Sequence, residues 1–531
     1  MRKNILLRVL CTIILGGILY YLWLPPLNLS SMSFWFFLFI LLMIFMFTSI
    51  LKLWDFHRGL ITFQVTSKKG AILPIVVIGI VALIGVINLF NTPFLNAKGY
   101  AKRIHIDENG DFAKDIGEVN FNALPLLDED SSRKLGDRVM GQMPELVSQF
   151  KVSDLYTQIN YKSDIVRVTP LEYASMIKYF TNRKEGVKGY ITVNSVTGDS
   201  KLIKLKKGMK YMPSALFNEN LYRKLRFSYP TEIFGEANFE LDEEGNPYWI
   251  VPLMKYSGVG MKREVIGIIA LDPITGQSKK YKVKDVPKWV DHVYNADLLI
   301  EQMDDWGLYK NGFFNSIFGQ KNVVMTTTGY NYTVMNDDVY LYTGITSAAA
   351  DEATIGFVMS NLRTKETKFY AVPGATEESA RASAEGQVQQ MKYNSTFPLL
   401  INLNGNPTYL VSLKDNAGLV KMYGFVDVKD YQKVVVTDAS KGIETAAKNY
   451  LGDADLQSDS KDLKARKIEI KKITTVNMDG NTWYYFIDEN DKKYKVSIKV
   501  DKNKLPFVKE GDFLEIEYRE EKDVTQIENI K

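Results

Sequence analysis

GNPYWIVPL at residues 245–253 and GNPTYLVSL at residues 405–413 match in the same register, with Gly-Asn-Pro at the start and apolar residues at the same later positions. Each follows a strand-like segment, FELDEE in the first copy and LINLN in the second. Asn, Gly and acidic residues between two runs of alternating apolar residues are typical of β-hairpins. The repeat therefore predicts a duplicated, sheet-containing module.

The same order of elements surrounds both copies. A hairpin comes first, then a helical segment, then the Gly-Asn-Pro hairpin and a further strand; the helical segments are residues 213–227 and 376–393. This order predicts an α+β module with an antiparallel sheet and a helix across one face. We place the two modules at residues 189–300 and 301–440.

A family resemblance follows from these segments. YITVNSVTGDSKLIKL and IGIIALDPITGQSKKYKV, each near a helix, resemble the PepSY-type, cystatin-like modules of bacterial envelope proteins. The DPxTG pattern consists of Asp272, Pro273, Thr275 and Gly276, whereas the second copy has VDVKDYQK. The whole chain also resembles large membrane proteins of Gram-positive bacteria in which such modules follow N-terminal membrane spans. The resemblance covers roughly residues 170–440, brings no catalytic residues with it, and implies a binding or inhibitory role.

Three long apolar runs lie near the N-terminus, at residues 5–24, 33–53 and 72–90. A helix needs about 20 apolar residues to cross a membrane, so each run has the required length. The sequence predicts that residues 1–96 form a three-helix transmembrane anchor. The predicted fold class is therefore membrane-anchored α+β, with tandem modules and a small C-terminal β-barrel.

Basic residues flank these runs unevenly. Arg2 and Lys3 precede the first run, and Lys68 and Lys69 lie in the loop between the second and third runs. Because cytoplasmic loops carry the excess of Lys and Arg, this predicts a cytoplasmic N-terminus and an extracytoplasmic remainder. The expected location is a multi-pass protein of the cell membrane, with the lipid bilayer as one partner.

The rest of the chain divides into three further segments. Residues 97–188 are expected to form a juxtamembrane α+β region, in which residues 169–183 have helical spacing. Residues 441–464 are polar and small and are expected to be a linker. Residues 465–531 contain about five alternating strands, which predict a small OB-type barrel.

Composition argues against several classes of protein. After residue 96 the chain has 59 Lys and Arg against 61 Asp and Glu, without the basic excess that nucleic-acid binding requires. The single cysteine, Cys11, lies in an apolar run, so no intramolecular disulfide is expected. Three separated histidines give little material for a zinc site. We expect no nucleic acid, no metal and no cofactor.

Catalytic motifs are absent from the sequence, which contains no GxSxG, HExxH or Walker-type loop. We therefore predict no catalytic residues and a protein that is not an enzyme. Trp289 and His292 lie on one turn of VPKWVDHVY, and Tyr248 and Trp249 lie in the Gly-Asn-Pro repeat. Core packing explains such residues well. If a partner-binding surface exists, these four residues are where we expect it.

The hypothesis from sequence is a non-enzymatic envelope protein whose modules bind a protein or a cell-wall polymer and scaffold it at the membrane. Two alternatives stay open. One is an envelope enzyme or a regulator or inhibitor of a protease, which predicts titratable groups that converge in a cleft. The other is a subunit of a membrane complex. Oligomeric state and ligand identity do not follow from the sequence.

Overall fold

The structure is a computed structural model that describes residues 2–52, 62–63, 72–347, 350–452, 464–478, 481–498, 500–501, 504–519 and 524–530. The chain divides into two compact units, unit 1 (Met1–Ala446) and unit 2 (Ala447–Lys531), and each is described by itself. Most of the predicted cytoplasmic loop and residues 453–463 of the predicted linker lie outside the described ranges.

Unit 1 begins with helices and two very short strands. These elements are α1 (Arg2–Trp23), α2 (Met32–Ile50), β1 (Leu51–Lys52), β2 (Thr62–Phe63), α3 (Ile72–Asn91) and α4 (Pro93–Ala101). Bonds with a later part of unit 1 hold these helices, since Leu27 N donates to Pro230 O at 2.8 Å and Asn88 exchanges two bonds with Val259. Many of their large apolar side chains are exposed nonetheless, such as Ile78.

The prediction of three transmembrane helices is wrong. Among the described residues, no single helix is both long enough and apolar enough to cross a membrane. The apolar portions Arg8–Trp23 of α1 and Met32–Phe47 of α2 are too short. The portion Val76–Asn91 of α3 reaches the length only together with Pro93–Ala101, from which it is bent by 49°. Proline disfavours helical geometry at the preceding residue, and Thr92 is accordingly extended. The predicted multi-pass membrane location, which rested on these three spans, falls with them.

Beyond these helices, the described part of unit 1 is a mixed α+β structure built from four copies of one module. Each module has a helix, two short strands that both pair with the next long strand, and two more antiparallel strands. Two short elements precede them, β3 (Ile106–Gly110) and α5 (Phe112–Asp115). Module 1 contains α6 (Glu129–Gly141), α7 (Pro144–Val147), β4 (Phe150–Val152), β5 (Thr157–Tyr161), β6 (Asp164–Tyr173), α8 (Met176–Asn182), β7 (Val187–Asn194) and β8 (Ser200–Met209).

Module 2 repeats this order of strands. It contains α9 (Leu221–Ser228), β9 (Ile233–Phe234), β10 (Asn238–Leu241), β11 (Pro247–Tyr256), β12 (Arg263–Leu271) and β13 (Ser278–Lys282). The first Gly-Asn-Pro segment forms the turn between β10 and β11. The sequence pattern grouped strands β7 and β8 with this module, but β7 pairs with β6 and β8 pairs with β7, so both belong to the sheet of module 1.

Modules 3 and 4 complete the series. Module 3 contains α10 (Ala296–Tyr309), β14 (Val324–Thr326), β15 (Asn331–Met335), β16 (Asp338–Ser347), β17 (Ala350–Asn361), β18 (Thr367–Tyr370) and β19 (Gly374–Ala375), and β3 pairs with β18 in parallel. Module 4 contains α11 (Glu377–Gly386), β20 (Asn394–Ser395), β21 (Leu399–Leu403), β22 (Asn406–Lys414), β23 (Val420–Asp427) and β24 (Val434–Asp438). The second Gly-Asn-Pro segment joins β21 to β22.

One turn recurs before the fifth strand of every module. Asn194, Asp272, Asn361 and Asp427 each accept the N–H groups of the residues two and three positions later with a side-chain oxygen. This Asx turn is what the DPxTG pattern encodes. Gly276 is required there because its φ is +72° and an added Cβ would lie 2.4 Å from the Tyr211 ring. VDVKDYQK departs from DPxTG and makes the same turn through its aspartate.

Strand β11 is covered on both faces, which explains its nearly continuous apolar sequence. Trp249 and Val251 enter a core shared with module 1, where Ile191 is fully buried. Ile250 points to the opposite side, into a core shared with module 3 residues such as Leu341. Modules 1, 2 and 3 therefore pack through module 2.

Unit 2 contains a closed five-stranded barrel, preceded by α12 (Ile443–Leu451), which begins at the end of unit 1. The strands are β25 (Lys464–Met478), β26 (Asn481–Asp488), β27 (Lys493–Ser497), β28 (Phe513–Arg519) and β29 (Thr525–Ile530). The long β25 closes the barrel, because its first half pairs with β28 and its second half pairs with β26. Ile468, Phe486 and Tyr494 form the centre of its core.

Candidate functional site

A cavity of about 490 Å³ lies where all four modules of unit 1 meet. Module 1 contributes the start of α6 and parts of β5 and β6, and module 2 contributes residues beside β10. Module 3 contributes the start of α10 and strand β15, and module 4 contributes Phe397. The lining residues are Asp128, Glu129, Asp130, Leu155, Tyr156, Thr157, Gln158, Arg167, Glu236, Asn238, His292, Asn295, Ala296, Asp297, Tyr330, Asn331, Tyr332 and Phe397.

Among the described residues of this wall, Arg167 is the only basic residue other than histidine. It lies in the middle of β6 and is 5% exposed, and its guanidinium makes no hydrogen bond or ion pair with any described residue. Burial lowers the pKa of Arg167 below its usual value, and the carboxylates of Glu129 and Asp128 oppose that effect. Arginine stays charged at neutral pH even so. The cavity therefore contains a buried cation that is not in ion-pair contact with any carboxylate of the described residues.

Gln158 lies beside this cation, because Gln158 and Arg167 are direct partners across β5 and β6. Directly opposite residues of an antiparallel pair point to the same face of the sheet. Gln158 is 1% exposed, and neither its amide nitrogen nor its amide oxygen has a protein partner. An amide donor and an amide acceptor are thus both unsatisfied next to the guanidinium.

Three more polar atoms of the wall lack protein partners, namely Tyr156 Oη, Asn238 Nδ2 and Asn295 Oδ1. Asn295 stands at the N-cap position of α10, but its side chain does not cap the helix. Among the described residues, twelve buried side-chain atoms are unpartnered, and six of them belong to this wall. Buried polar groups are normally paired, so this concentration indicates a site built for something polar.

A buried carboxylate holds the floor of the cavity in place. Glu240 on β10 is fully buried and accepts the N–H groups of Asp291 and His292 at 2.8 and 3.0 Å. Asp291 in turn accepts the N–H of Asn160 at 2.8 Å. The segment between modules 2 and 3 is therefore fixed to the sheets of modules 1 and 2.

These interior groups have strongly shifted pKa values. Burial raises the pKa of Glu240 to about 7, and burial together with Glu240 raises the pKa of Asp291 well above its usual value. Burial lowers the pKa of His292 to about 4, so this imidazole is neutral at neutral pH. Its Nε2 lies 2.6 Å from the carbonyl oxygen of Gln158 and must carry the proton, because a carbonyl only accepts.

The mouth of the cavity is acidic. Asp130, Glu236 and Asp297 are exposed and make no ion pair with the described residues. The other two acids of the wall are paired, since Asp128 contacts Lys414 and Glu129 contacts Arg133 at 3.0 Å. Three free carboxylates at the entrance thus face a single cation deep inside.

The structure separates the four residues that the sequence singled out for partner binding. His292 lines the cavity, whereas Tyr248 and Trp289 pack on each other with ring centroids 5.0 Å apart. Trp249 is 1% exposed and donates from Nε1 to the carbonyl oxygen of Tyr211 at 3.0 Å, so it works as a core residue. They do not form one surface.

Arg167 and the unpartnered amides were missed from the sequence, although a signal existed. Arg167 interrupts the apolar segment IVRV, where Val166 and Val168 are buried in the core. A charged residue in the middle of an apolar strand is unusual, because burying a charge is costly. Within the described residues, no group of three His, Cys, Asp or Glu side chains is placed to hold a metal ion.

Comparisons with known proteins assign this chain to no family. No known protein family matches the chain, and no curated protein matches it. Among solved structures, it is similar to an ACO/RPE65 chimera (10% identity, 53% of this chain and 47% of that one, TM-score 0.13). It is also similar to the sialidase of Trypanosoma rangeli (9% identity, 71% and 54%, TM-score 0.17). The chain spans about half the length of these structures, and at such TM-scores the similarity supports no conclusion.

The buried carboxylate and histidine predict opposite pH effects on stability. Glu240 has a native pKa of about 7, above its ordinary 4.5, so its contribution is complete below 4.5 and is lost as pH rises through 7. His292 has a native pKa of about 4, below its ordinary 6.5. Its contribution to the free energy of unfolding therefore grows as pH rises from about 4 to 6.5 and is complete above 6.5. Between about pH 4.5 and 6.5, the stability lost through Glu240 and the stability gained through His292 largely cancel.

We expect His292→Gln to remove one of these two effects. A glutamine side chain still donates to the Gln158 carbonyl but does not titrate. The variant should therefore lose roughly 3 kcal/mol of stability relative to wild type as pH rises from about 4 to 6.5. Urea denaturation followed by tryptophan fluorescence measures this, with exposed His105→Gln as the control. A constant difference between His292→Gln and wild type at every pH would contradict it.

Proposed function

We propose that this chain is a binding protein, without catalytic activity, whose central cavity takes a polar ligand presented by a protein or a cell-wall polymer. The observation that carries the proposal is the concentration of unpartnered buried polar atoms around one cavity, with Arg167 among them. Such atoms are costly unless something satisfies them, and a bound ligand does so. The volume of about 490 Å³ is within the usual range for ligand sites.

The chemistry of the wall favours binding over catalysis. The described lining residues include no serine, cysteine or lysine that would act as a nucleophile. The proton on His292 Nε2 is committed to a backbone carbonyl, so that nitrogen is not available as a base. Thr157 Oγ1 accepts the N–H of Phe239 at 3.3 Å. The PepSY-like resemblance of the modules also implies binding.

Filling the cavity is the direct test. Asn238 lies in the wall with an unpartnered amide nitrogen, and Asn238→Phe places a ring where ligand would sit. We expect immobilised wild-type protein to retain fragments from a bacterial cell-wall digest or from a tryptic peptide mixture. The variant should retain the same fragments at least tenfold less, as measured by mass spectrometry.

The matched control is Asn218→Phe, which changes an exposed asparagine just before α9 and outside this cavity. It should retain the fragments as wild type does. Equal retention by wild type and Asn238→Phe would mean that the cavity is not the binding site. Absence of any retained fragment would reject the proposed function itself.

A further inference from the structure

The charges of the cavity narrow the class of ligand, on the basis of the proposed function. Arg167 is a buried fork of N–H donors with no acceptor from the described protein. A planar guanidinium matches a carboxylate, because two parallel hydrogen bonds form between them. A neutral sugar would supply acceptors but would leave the buried cation without a counterion. The deep end of the cavity therefore suits a carboxylate.

Gln158 adds a second requirement next to the first. Its amide nitrogen needs an acceptor and its amide oxygen needs a donor, and neither atom has a protein partner. A peptide group carries one carbonyl acceptor and one N–H donor. It therefore satisfies both atoms of the glutamine amide, which a second carboxylate would not do.

The acidic entrance of the cavity gives the third requirement for the ligand, a cationic group. Asp130, Glu236 and Asp297 are exposed carboxylates without counterions among the described residues. They repel a ligand with several negative charges, such as a phosphate dianion, and attract a cationic group. A ligand with a carboxylate inside and an ammonium group near the entrance is complementary to both ends.

We propose that the cavity binds the end of a peptide, with its terminal carboxylate on Arg167, its last peptide group on Gln158 and a cationic group toward Asp130, Glu236 and Asp297. The end of a protein chain and the free end of a wall peptide share this chemistry. The smallest molecule with all three groups is a dipeptide.

Isothermal titration of the full chain with dialanine and two blocked forms tests each requirement. The L,L form of dialanine represents the end of a protein chain, and the D,D form represents the free end of a wall peptide. We expect one form to bind, and we expect its C-terminal amide and its N-acetyl derivative to bind at least tenfold more weakly. Arg167→Gln should weaken dialanine binding at least tenfold and leave the weak binding of the amide unchanged.

Arg138→Gln is the matched control, since Arg138 is exposed on α6 of the same module and does not line the cavity. It should bind dialanine as wild type does. Equal affinity for dialanine and its blocked forms, or no binding of dialanine up to about 10 mM, would overturn the inference. If fragments are still retained in a cavity-dependent manner, only the ligand class is wrong and the proposed function stands.

Discussion

Replacing Arg103 with methionine is expected to destabilise unit 1 by about 3–5 kcal/mol at neutral pH, the cost of removing one partner from a buried ion cluster. The Arg103 side chain is 3% exposed and contacts Asp305, Glu301 at 2.7 Å and Glu264 at 3.6 Å. Without it, Lys365 still pairs with Glu264 and Arg263 still pairs with Glu301, but Asp305 has no other ion pair among the described residues. Asp305, whose side chain is 14% exposed, would then be a largely buried carboxylate without a partner.

The pH dependence of this loss is part of the prediction. Burial raises the pKa of Asp305 to about 6 in the native protein, although Arg103 holds it down. A raised native pKa means that the native state is favoured at low pH and loses that stability as pH rises through the native pKa. Removal of Arg103 raises this pKa further. The deficit of Arg103→Met should therefore shrink between about pH 7 and pH 5.

Arg263→Met is the matched control, because Arg263 is 43% exposed and pairs with Glu301 at the edge of the same cluster. Exposed pairs contribute at most about 1 kcal/mol, so this variant should lose little. Urea denaturation monitored by tryptophan fluorescence compares the two, with Trp306 of α10 as a nearby probe. Equal losses in both variants, or a deficit that is independent of pH, would show that the cluster does not depend on Arg103.

Local patterns in the sequence predicted strands better than they predicted continuous helices. Alternation along residues 465–531 identifies five strands, because a barrel strand buries every second side chain. Residues 169–183 have helical spacing, yet β6 continues to Tyr173 and the helix begins only after Ser175, whose Oγ accepts the N–H of Lys178. Leu171 and Tyr173 are buried by pairing with β4, a contact between distant residues that spacing does not show.

The N-terminal runs illustrate the same point. Hydropathy counts apolar residues, but a membrane span also needs one uninterrupted helix. The helix of the third run ends at Asn91, just beyond the run, where Thr92 is extended before Pro93 and the next helix is bent away by 49°. The second run ends its helix at Ile50, and Leu51 and Lys52 pair as a short strand. The lengths of the runs were visible in the sequence, whereas the helix breaks depend on backbone geometry.

The cavity was beyond sequence reasoning for a different reason. Its wall is assembled from four modules, and the sequence shows two obvious repeats and no indication of which edges meet. The neighbourhood of Gln158 and Arg167 follows from a hairpin that alternation supports, so this pair was accessible. The approach of Asn295 and Phe397 to that pair depends on packing between modules. Neither the Gln158–Arg167 pair nor the approach of Asn295 and Phe397 corresponds to a sequence motif.

Replacing Arg167 with methionine should stabilise the free protein, by about 1–2 kcal/mol, and abolish ligand binding. A buried charge without a partner is costly, and an apolar side chain of similar length removes that cost. The gain is limited because Arg167 faces a cavity and is attracted by Glu129 and Asp128. Stability is then sacrificed for binding in the wild-type protein, which is common at functional sites. Urea denaturation without ligand and titration with dialanine measure the two effects.

Arg226→Met is the matched comparison, because Arg226 has the same 5% exposure but is hydrogen-bonded through its guanidinium. Its guanidinium donates to the carbonyl oxygens of Leu24 at 2.9 Å and Glu232 at 2.6 Å. Loss of these charge-assisted bonds leaves buried carbonyls unpaired, so Arg226→Met should cost about 2–3 kcal/mol. Replacement by methionine should therefore raise the free energy of unfolding at Arg167 and lower it at Arg226, although the two arginines are equally buried. If Arg167→Met destabilises the protein as much as Arg226→Met does, Arg167 is structural and the cavity is not built around an unpaired cation.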